Sequence, residues 1–310
     1  MKPHLSDINL LKQLCQIHAT SGNESKMKDF ILDYVNRKRG NWVCQPEVFH
    51  GPELQDCVIL KFGTPKTAAF AHMDSIGFTV RYQNQLVAIG GPEVHSGYKL
   101  VGEDSLGLIE CELEVNKDHQ LFYKFGRAID RGTDLVFKCE FEETDTEITS
   151  CYLDNRLGVY NLLKLAETLK NGVLVFSCWE EHGGGSIPLL VRFIYEKWQV
   201  TQGLISDITW VTDGVYPGEG VVISMRDRNI PRKSYIRRII EIANDSEIPY
   251  QLEVEASGSS DGRELQISPY PFDWCFIGAP EENVHSPQEK VHKYDIICML
   301  QLYKALMENL

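Results

Sequence analysis

A chain of 310 residues that is 43% hydrophobic and 24% charged has material for one large domain or for a core with an insertion. Its 31 basic and 44 acidic residues give a net charge of −13, which argues against a nucleic-acid or anionic-membrane partner. No apolar run approaches the roughly 18 residues of a membrane span, and nine cysteines, odd in number and without a C-x-x-C pair, suit the reduced thiols of a cytoplasmic protein.

The stretch from Met1 to Gln16 carries polar residues within its apolar periodicity and has no small-residue cleavage site, so it reads as a helix and not a signal peptide. Leu10, Leu11, Leu14 and Ile17 form its apolar stripe. A second helix keeps Met27, Phe30, Ile31 and Val35 on one face, with Ser21 or Asn23 as its cap. Val58 to Phe62 and Thr67 to Ala71 read as short strands, the second running into His72-Met73-Asp74. From about residue 79 to residue 147 short apolar runs alternate with Gly, Asp and Asn, which predicts an inserted β domain. Residues 1–78 and 148–310 then form one α/β core.

That core resumes at Leu153-Asp154-Asn155-Arg156, where Asp154 sits at or just before a helix N-terminus. Val173 to Cys178 is an apolar, β-branched run of the kind buried on both faces of a sheet. It leads into Glu180-Glu181 and then into Gly183 to Gly185. A helix over Ile187 to Trp198 follows, and Gly203 to Trp210 reads as a further strand with Asp207 at its end. Strand Trp274 to Ile277 closes through Gly278-Ala279-Pro280 ahead of His285, and a last helix covers Tyr294 to Met307.

Ligands of open α/β sheets bind outside the carboxyl ends of the strands. His72, Asp154, Glu181, Asp207 and His285 collect there, and two imidazoles with three carboxylates are what a pair of divalent cations needs. Such a pair activates water and polarises a carbonyl, and a further carboxylate must take the proton from that water. Glu180, beside the ligand Glu181, suits this role. Asp74, two residues after His72, can accept from the imidazole and fix its tautomer. Asp261, between Ser260 and Gly262, reads as a turn residue and is left outside the site.

Four motifs resemble the tetrahedral-aminopeptidase family of dinuclear metallopeptidases, the glutamyl, deblocking and lysyl aminopeptidases once also called endoglucanases. They are Ala71-His72-Met73-Asp74-Ser75-Ile76-Gly77-Phe78, Leu153 to Gly158, Glu180-Glu181 with its glycines, and Val284 to Glu289. Asp207-Ile208-Thr209 and Thr20 to Glu24 add to the likeness, which runs in order along nearly the whole chain. The resemblance implies a three-layer α/β/α peptidase core with a mixed sheet, interrupted by a smaller β domain used in subunit contacts of a homo-oligomer. It implies two metal ions, zinc or cobalt, held by His72, Asp154 as the bridge, Glu181, Asp207 and His285. Glu180 is the implied general base, Asp213 is the competitor for the place of Asp207, and the substrate is a peptide with a free N-terminus.

Three positions depart from the family pattern. Asn155 stands where a second Asp is usual, which predicts less charge beside the bridge; Ser75 replaces a Glu; and His182-Gly183-Gly184-Gly185 replaces a Val-Gly turn. Two other readings follow: a catalytically silent relative acting as a binding module, or a glycoside hydrolase, whose chemistry uses two carboxylates and no metal.

Overall fold

The structure, a computed structural model, describes Leu5 and residues 7–310. The part of the predicted N-terminal helix at residues 1–4 and 6 lies outside them. Helix α1 (Ile8–Cys15) buries Leu10, Leu11 and Leu14, and α2 (Ser25–Lys38) buries Met27, Ile31 and Val35. The residues predicted to cap α2 are engaged elsewhere. Ser21 Oγ donates to Asp74 Oδ2 at 2.6 Å, Asn23 Nδ2 to Asp134 Oδ2 at 3.2 Å, and Glu24 occupies the cap position.

Strands β1 (Glu47–Phe49), β2 (Val58–Phe62) and β3 (Ala68–His72) come next. The inserted β domain is a closed six-stranded barrel. It consists of β4 (Gly77–Val80), β5 (Gln85–Ile89), β6 (Lys99–Asp104), β7 (Gly107–Val115), β8 (Leu121–Lys124) and β9 (Asp134–Phe137), joined in the order β4-β5-β8-β7-β6-β9. The chain then returns through β10 (Glu142–Glu143), β11 (Glu147–Ser150), α3 (Leu153–Ala166), β12 (Gly172–Ser177), α4 (Ile187–Trp198), β13 (Gln202–Trp210) and β14 (Val221–Arg226). It finishes with α5 (Lys233–Asp245), β15 (Tyr250–Val254), α6 (Gly262–Ile267), β16 (Asp273–Glu282), β17 (Glu289–His292) and α7 (Lys293–Asn309).

Eleven strands form one mixed sheet in the order β1-β2-β12-β3-β13-β16-β17-β11-β10, with β14 and β15 attached beside β16. Its centre, β12-β3-β13-β16, is parallel. Every residue of β3 and β12 is buried, as expected of parallel strands with helices on both faces. The fold is thus a three-layer α/β/α core with a barrel inserted between β3 and β10. Gly158 permits α3 to lie on β13: a Cβ there would stand 2.1 Å from the carbonyl oxygen of Ser206.

Two strand readings change. Strand β16 does not stop at Ile277 but continues through Pro280 to Glu282, paired with β13. Asp207 is not at the end of its strand; it lies within β13, followed by Ile208, Thr209 and Trp210. All nine cysteines are free thiols, and no helix among the described residues is long and apolar enough to cross a membrane.

Candidate metal centre

His72 is the last residue of β3, Asp207 lies in the adjacent β13, and Glu180 and Glu181 follow β12 on the other side. His285 follows β16. Asp154 enters from the start of α3, where Asp154 and Asn155 have non-helical backbone angles and Asn155 Oδ1 accepts from the N–H of Gly158 at 2.8 Å, as a helix cap does. Asp154 is therefore not the helix cap, and its carboxylate is free to face the sheet edge.

The parallel sheet brings these six side chains to one cavity of about 280 Å³. His72 Nε2 is 3.2 Å from Asp154 Oδ1 and 3.5 Å from Asp207 Oδ2. His285 Nε2 is 3.2 Å from Asp154 Oδ2 and 3.2 Å from Glu181 Oε2. Asp154 thus turns one oxygen to each imidazole. Two groups of donors result, His72-Asp154-Asp207 and Asp154-Glu181-His285, and each could hold a metal ion, its ligand atoms lying within 4.8 Å of one another. Asp154 Oδ1 has no hydrogen-bond partner despite its short distance to His72. Buried polar atoms seldom go unpaired, and atoms that crowd without aligning fit donors aimed at a common cation.

Similarity to known proteins identifies the family. The profile of the M42 glutamyl aminopeptidases matches residues 120–302. The chain belongs to that family. A relative in Acetivibrio thermocellus, provisionally named an aminopeptidase, is 26% identical, the match covering 93% of this chain and 94% of the relative. In fold, the chain is similar to aminopeptidase APDkam598 of the archaeon Desulfurococcus kamchatkensis, with a TM-score of 0.85 at 23% identity over 98% of this chain and 94% of that one. It is also similar to the Pyrococcus horikoshii TET1 peptidase, with a TM-score of 0.82 at 20% identity over 97% and 98% of the two chains. That peptidase is described as assembling into a tetrahedron or a large octahedral shell.

The acids and imidazoles of this M42 chain perturb one another strongly. Burial disfavours a charged imidazole, but the carboxylates of Asp154 and Glu181 overcome it and raise the pKa of His285 to about 12. Burial also opposes ionisation of Asp154, yet His285 and His72 hold it well below the usual carboxylate range. Burial, together with the charge of Asp154, raises Glu181 to about 7 and Asp207 to about 6. Glu180 Oε2 stands 4.0 Å from His72 Nε2. Burial first, then the charges of Asp261, Glu181 and Asp207, raise its pKa well above the ordinary glutamate value against the pull of His72.

Around the centre, Asp74 lies beside His72, although His72 Nδ1 makes no hydrogen bond. Its Oδ1 is 3.4 Å from His72 Nδ1. The same carboxylate accepts from the backbone N–H groups of Glu180 and Glu181, each at 3.1 Å. Asp74 therefore ties the end of β3 to the Glu-Glu turn. Arg156, fully buried, donates to the carbonyl oxygens of Met73 at 2.5 Å, Asp74 at 3.2 Å and Ile17 at 3.3 Å, bracing the same strand end.

Three further residues escaped the sequence reading. Gly91, in the loop after barrel strand β5, offers its carbonyl oxygen 3.1 Å from His285 Nδ1; a donating Nδ1–H leaves Nε2 free to face the centre. Nothing in the sequence marks this glycine. Asp261 is not a solvated turn residue: it is buried, accepts from Ser177 Oγ at 2.6 Å, and leaves Oδ1 unpartnered near Glu180. Glu289 lies inside the quoted Val284 to Glu289 motif, and its carboxylate accepts from the backbone N–H groups of Asp154 and His285. By contrast, His182 is exposed and accepts from the N–H of Gly90 at 3.1 Å, and Asp213 is absent from the cavity lining.

Proposed function

We propose that this chain is a metal-dependent aminopeptidase that hydrolyses N-terminal residues from peptides at a two-metal centre. The observation that carries this reading is the split orientation of Asp154, one oxygen toward His72 and the other toward His285. His72, Asp154 and Asp207 would hold one ion; Asp154, Glu181 and His285 would hold the other. Seven carboxylates line the cavity, and four of them, Asp154, Glu180, Glu181 and Asp207, stand with the two imidazoles where cations would bind. Zinc or cobalt ions bound there supply Lewis acidity, lowering the proton affinity of water and polarising a peptide carbonyl.

The protein's own groups do the rest. Glu180, set at the cavity edge by the Asp74 bond to its amide, takes the proton from the attacking water and delivers it to the departing amine. Among the described residues no lysine or arginine lines the cavity, whereas Asp227, Glu253 and Glu255 extend its acidic wall, which favours a cationic substrate N-terminus. The metal-free chemistry of a glycoside hydrolase gives no role to the two imidazoles.

We further propose that the protein works as a homo-oligomer in which the barrel makes subunit contacts. The barrel carries Leu106 and Leu108, 71% and 83% exposed, at the turn into β7, and light scattering tests the assembly. For the activity, the deciding experiment is a panel of aminoacyl anilides offered to metal-reconstituted protein. Turnover of at least one, abolished by a chelator and restored by zinc or cobalt, is expected. A metal-loaded protein inert toward the whole panel would overturn the reading.

A further inference from the structure

We propose that Glu289 is a positioning residue for the metal centre: its buried carboxylate holds the backbone amides of Asp154 and His285 in one frame and so fixes the bridging carboxylate relative to the second imidazole. This rests on the two-metal reading above. Glu289 opens β17, the strand between β16 and β11, and is fully buried. Its Oε1 accepts from His285 N at 3.0 Å and its Oε2 from Asp154 N at 3.2 Å.

A turn-closing role would need only the first of these bonds, which spans four residues. The second reaches across 135 residues to another element. Both donors are backbone N–H groups, so the two bonds need two acceptor oxygens, which only the carboxylate provides. His285 also has a left-handed backbone, with φ of 65°, a conformation that an L-residue keeps only where its surroundings hold it. The Glu289 bond to its amide is one such hold, and the Gly91 carbonyl at Nδ1 is another. Of the two donor groups, Asp154-Glu181-His285 contains both residues clamped by Glu289, while His72-Asp154-Asp207 contains one. The effect of losing the clamp falls mainly on the second ion.

The test is Glu289→Gln, nearly equal in volume but with one acceptor oxygen. Whichever way the amide turns, its NH₂ meets one of the two N–H groups and that bond is lost. Metal-free wild type and variant are titrated with zinc or cobalt by calorimetry, with stoichiometry read by native mass spectrometry and folding by circular dichroism. The variant is expected to fold and to bind one ion as wild type does. Its second ion is expected to bind roughly 10–100-fold more weakly, the usual cost of removing a group that orients a ligand. Binding of both ions as in wild type, or equal weakening of both, overturns the proposal. Should Glu289→Gln not fold, amide hydrogen exchange on the wild type decides: the Asp154 and His285 amides are expected to be protected, and rapid exchange of either refutes the clamp. A wild type that takes up no divalent ion defeats the two-metal reading instead, and is told apart because it requires no substitution.

Discussion

Replacing Glu180 by Gln removes a proton acceptor and almost nothing else. The side chains are nearly equal in size, and the Glu180 backbone N–H keeps its bond to Asp74. None of the five proposed ligands loses an atom. A positioned general base contributes about 10²–10⁴-fold, so the expected fall in kcat corresponds to about 3–5 kcal/mol at roughly 1.36 kcal/mol per tenfold. Burial and the neighbouring acids raise the Glu180 pKa above its ordinary value. Glu180 works only when ionised, so wild-type kcat/KM declines as pH falls and its carboxylate takes up a proton. The residual activity of the variant is expected to lack this acidic limb. The assay is steady-state turnover of the best aminoacyl anilide across pH, alongside metal content by mass spectrometry. Turnover within a few-fold of wild type with two ions bound would refute Glu180 as base; loss of an ion would make it a ligand.

The other expectations concern how the centre is held. Asp74→Asn retains one acceptor oxygen where Asp74 serves the amides of Glu180 and Glu181 and the Ser21 hydroxyl; kcat should drop about 10–100-fold, and unchanged kinetics would contradict the clamp. Glu181 at about 7 and Asp207 at about 6 bind protons that the unfolded chain has already released. Stability of the metal-free protein, followed by urea denaturation, should therefore fall as pH rises from about 4 to 7. Saturating metal should reverse the trend, with proton release on binding measurable by calorimetry in buffers of different ionisation enthalpy; a flat profile in both states would contradict it. Asn155→Asp sets a carboxylate against the Ser206 carbonyl oxygen that the Asn155 amide now meets at 2.9 Å, so unfolding should become easier by about 1–3 kcal/mol with two ions still bound, whereas unaltered stability would contradict the contact.

The parallel centre of the sheet was legible because β3 and β12 are buried on both faces and so appear as uninterrupted apolar runs, Ala68–His72 and Gly172–Ser177. Two strands exposed along one side gave no such signal. Lys99–Asp104 and Glu289–His292 are largely polar and take their place from pairing partners distant in sequence. Asp207 reads in sequence as the acid at the end of the strand over Gly203 to Trp210. It continues because Ile208 and Thr209 keep pairing with Ala279 and Pro280 of β16. The six cavity side chains share a feature available to sequence reading, since each is a metal-ligand type beside an apolar run or at a helix start. Gly91 acts through a backbone carbonyl, which any residue possesses, and Asp261 differs from a turn aspartate only in being buried against Ser177.

The same contacts bear on the departures that made a silent homologue conceivable. A missing charge at Asn155 would matter if that side chain faced the ions, but Asn155 is fully buried and turned into the α3–β13 contact. It donates to Ser206 O and accepts from Gly158 N at 2.8 Å, so the amide is what that place requires and an acid would fit it worse. Ser75 is likewise buried away from the cavity, its hydroxyl donating to Ala19 O at 3.2 Å. In the glycine turn, Gly184 has φ of 64°, and a Cβ there would lie 2.8 Å from Glu264 Cγ, so its role is backbone shape. None of Asn155, Ser75 or His182 lines the cavity. The substitutions that set this chain apart alter how the shell is packed, whereas every group proposed to touch an ion or a proton is present and points inward.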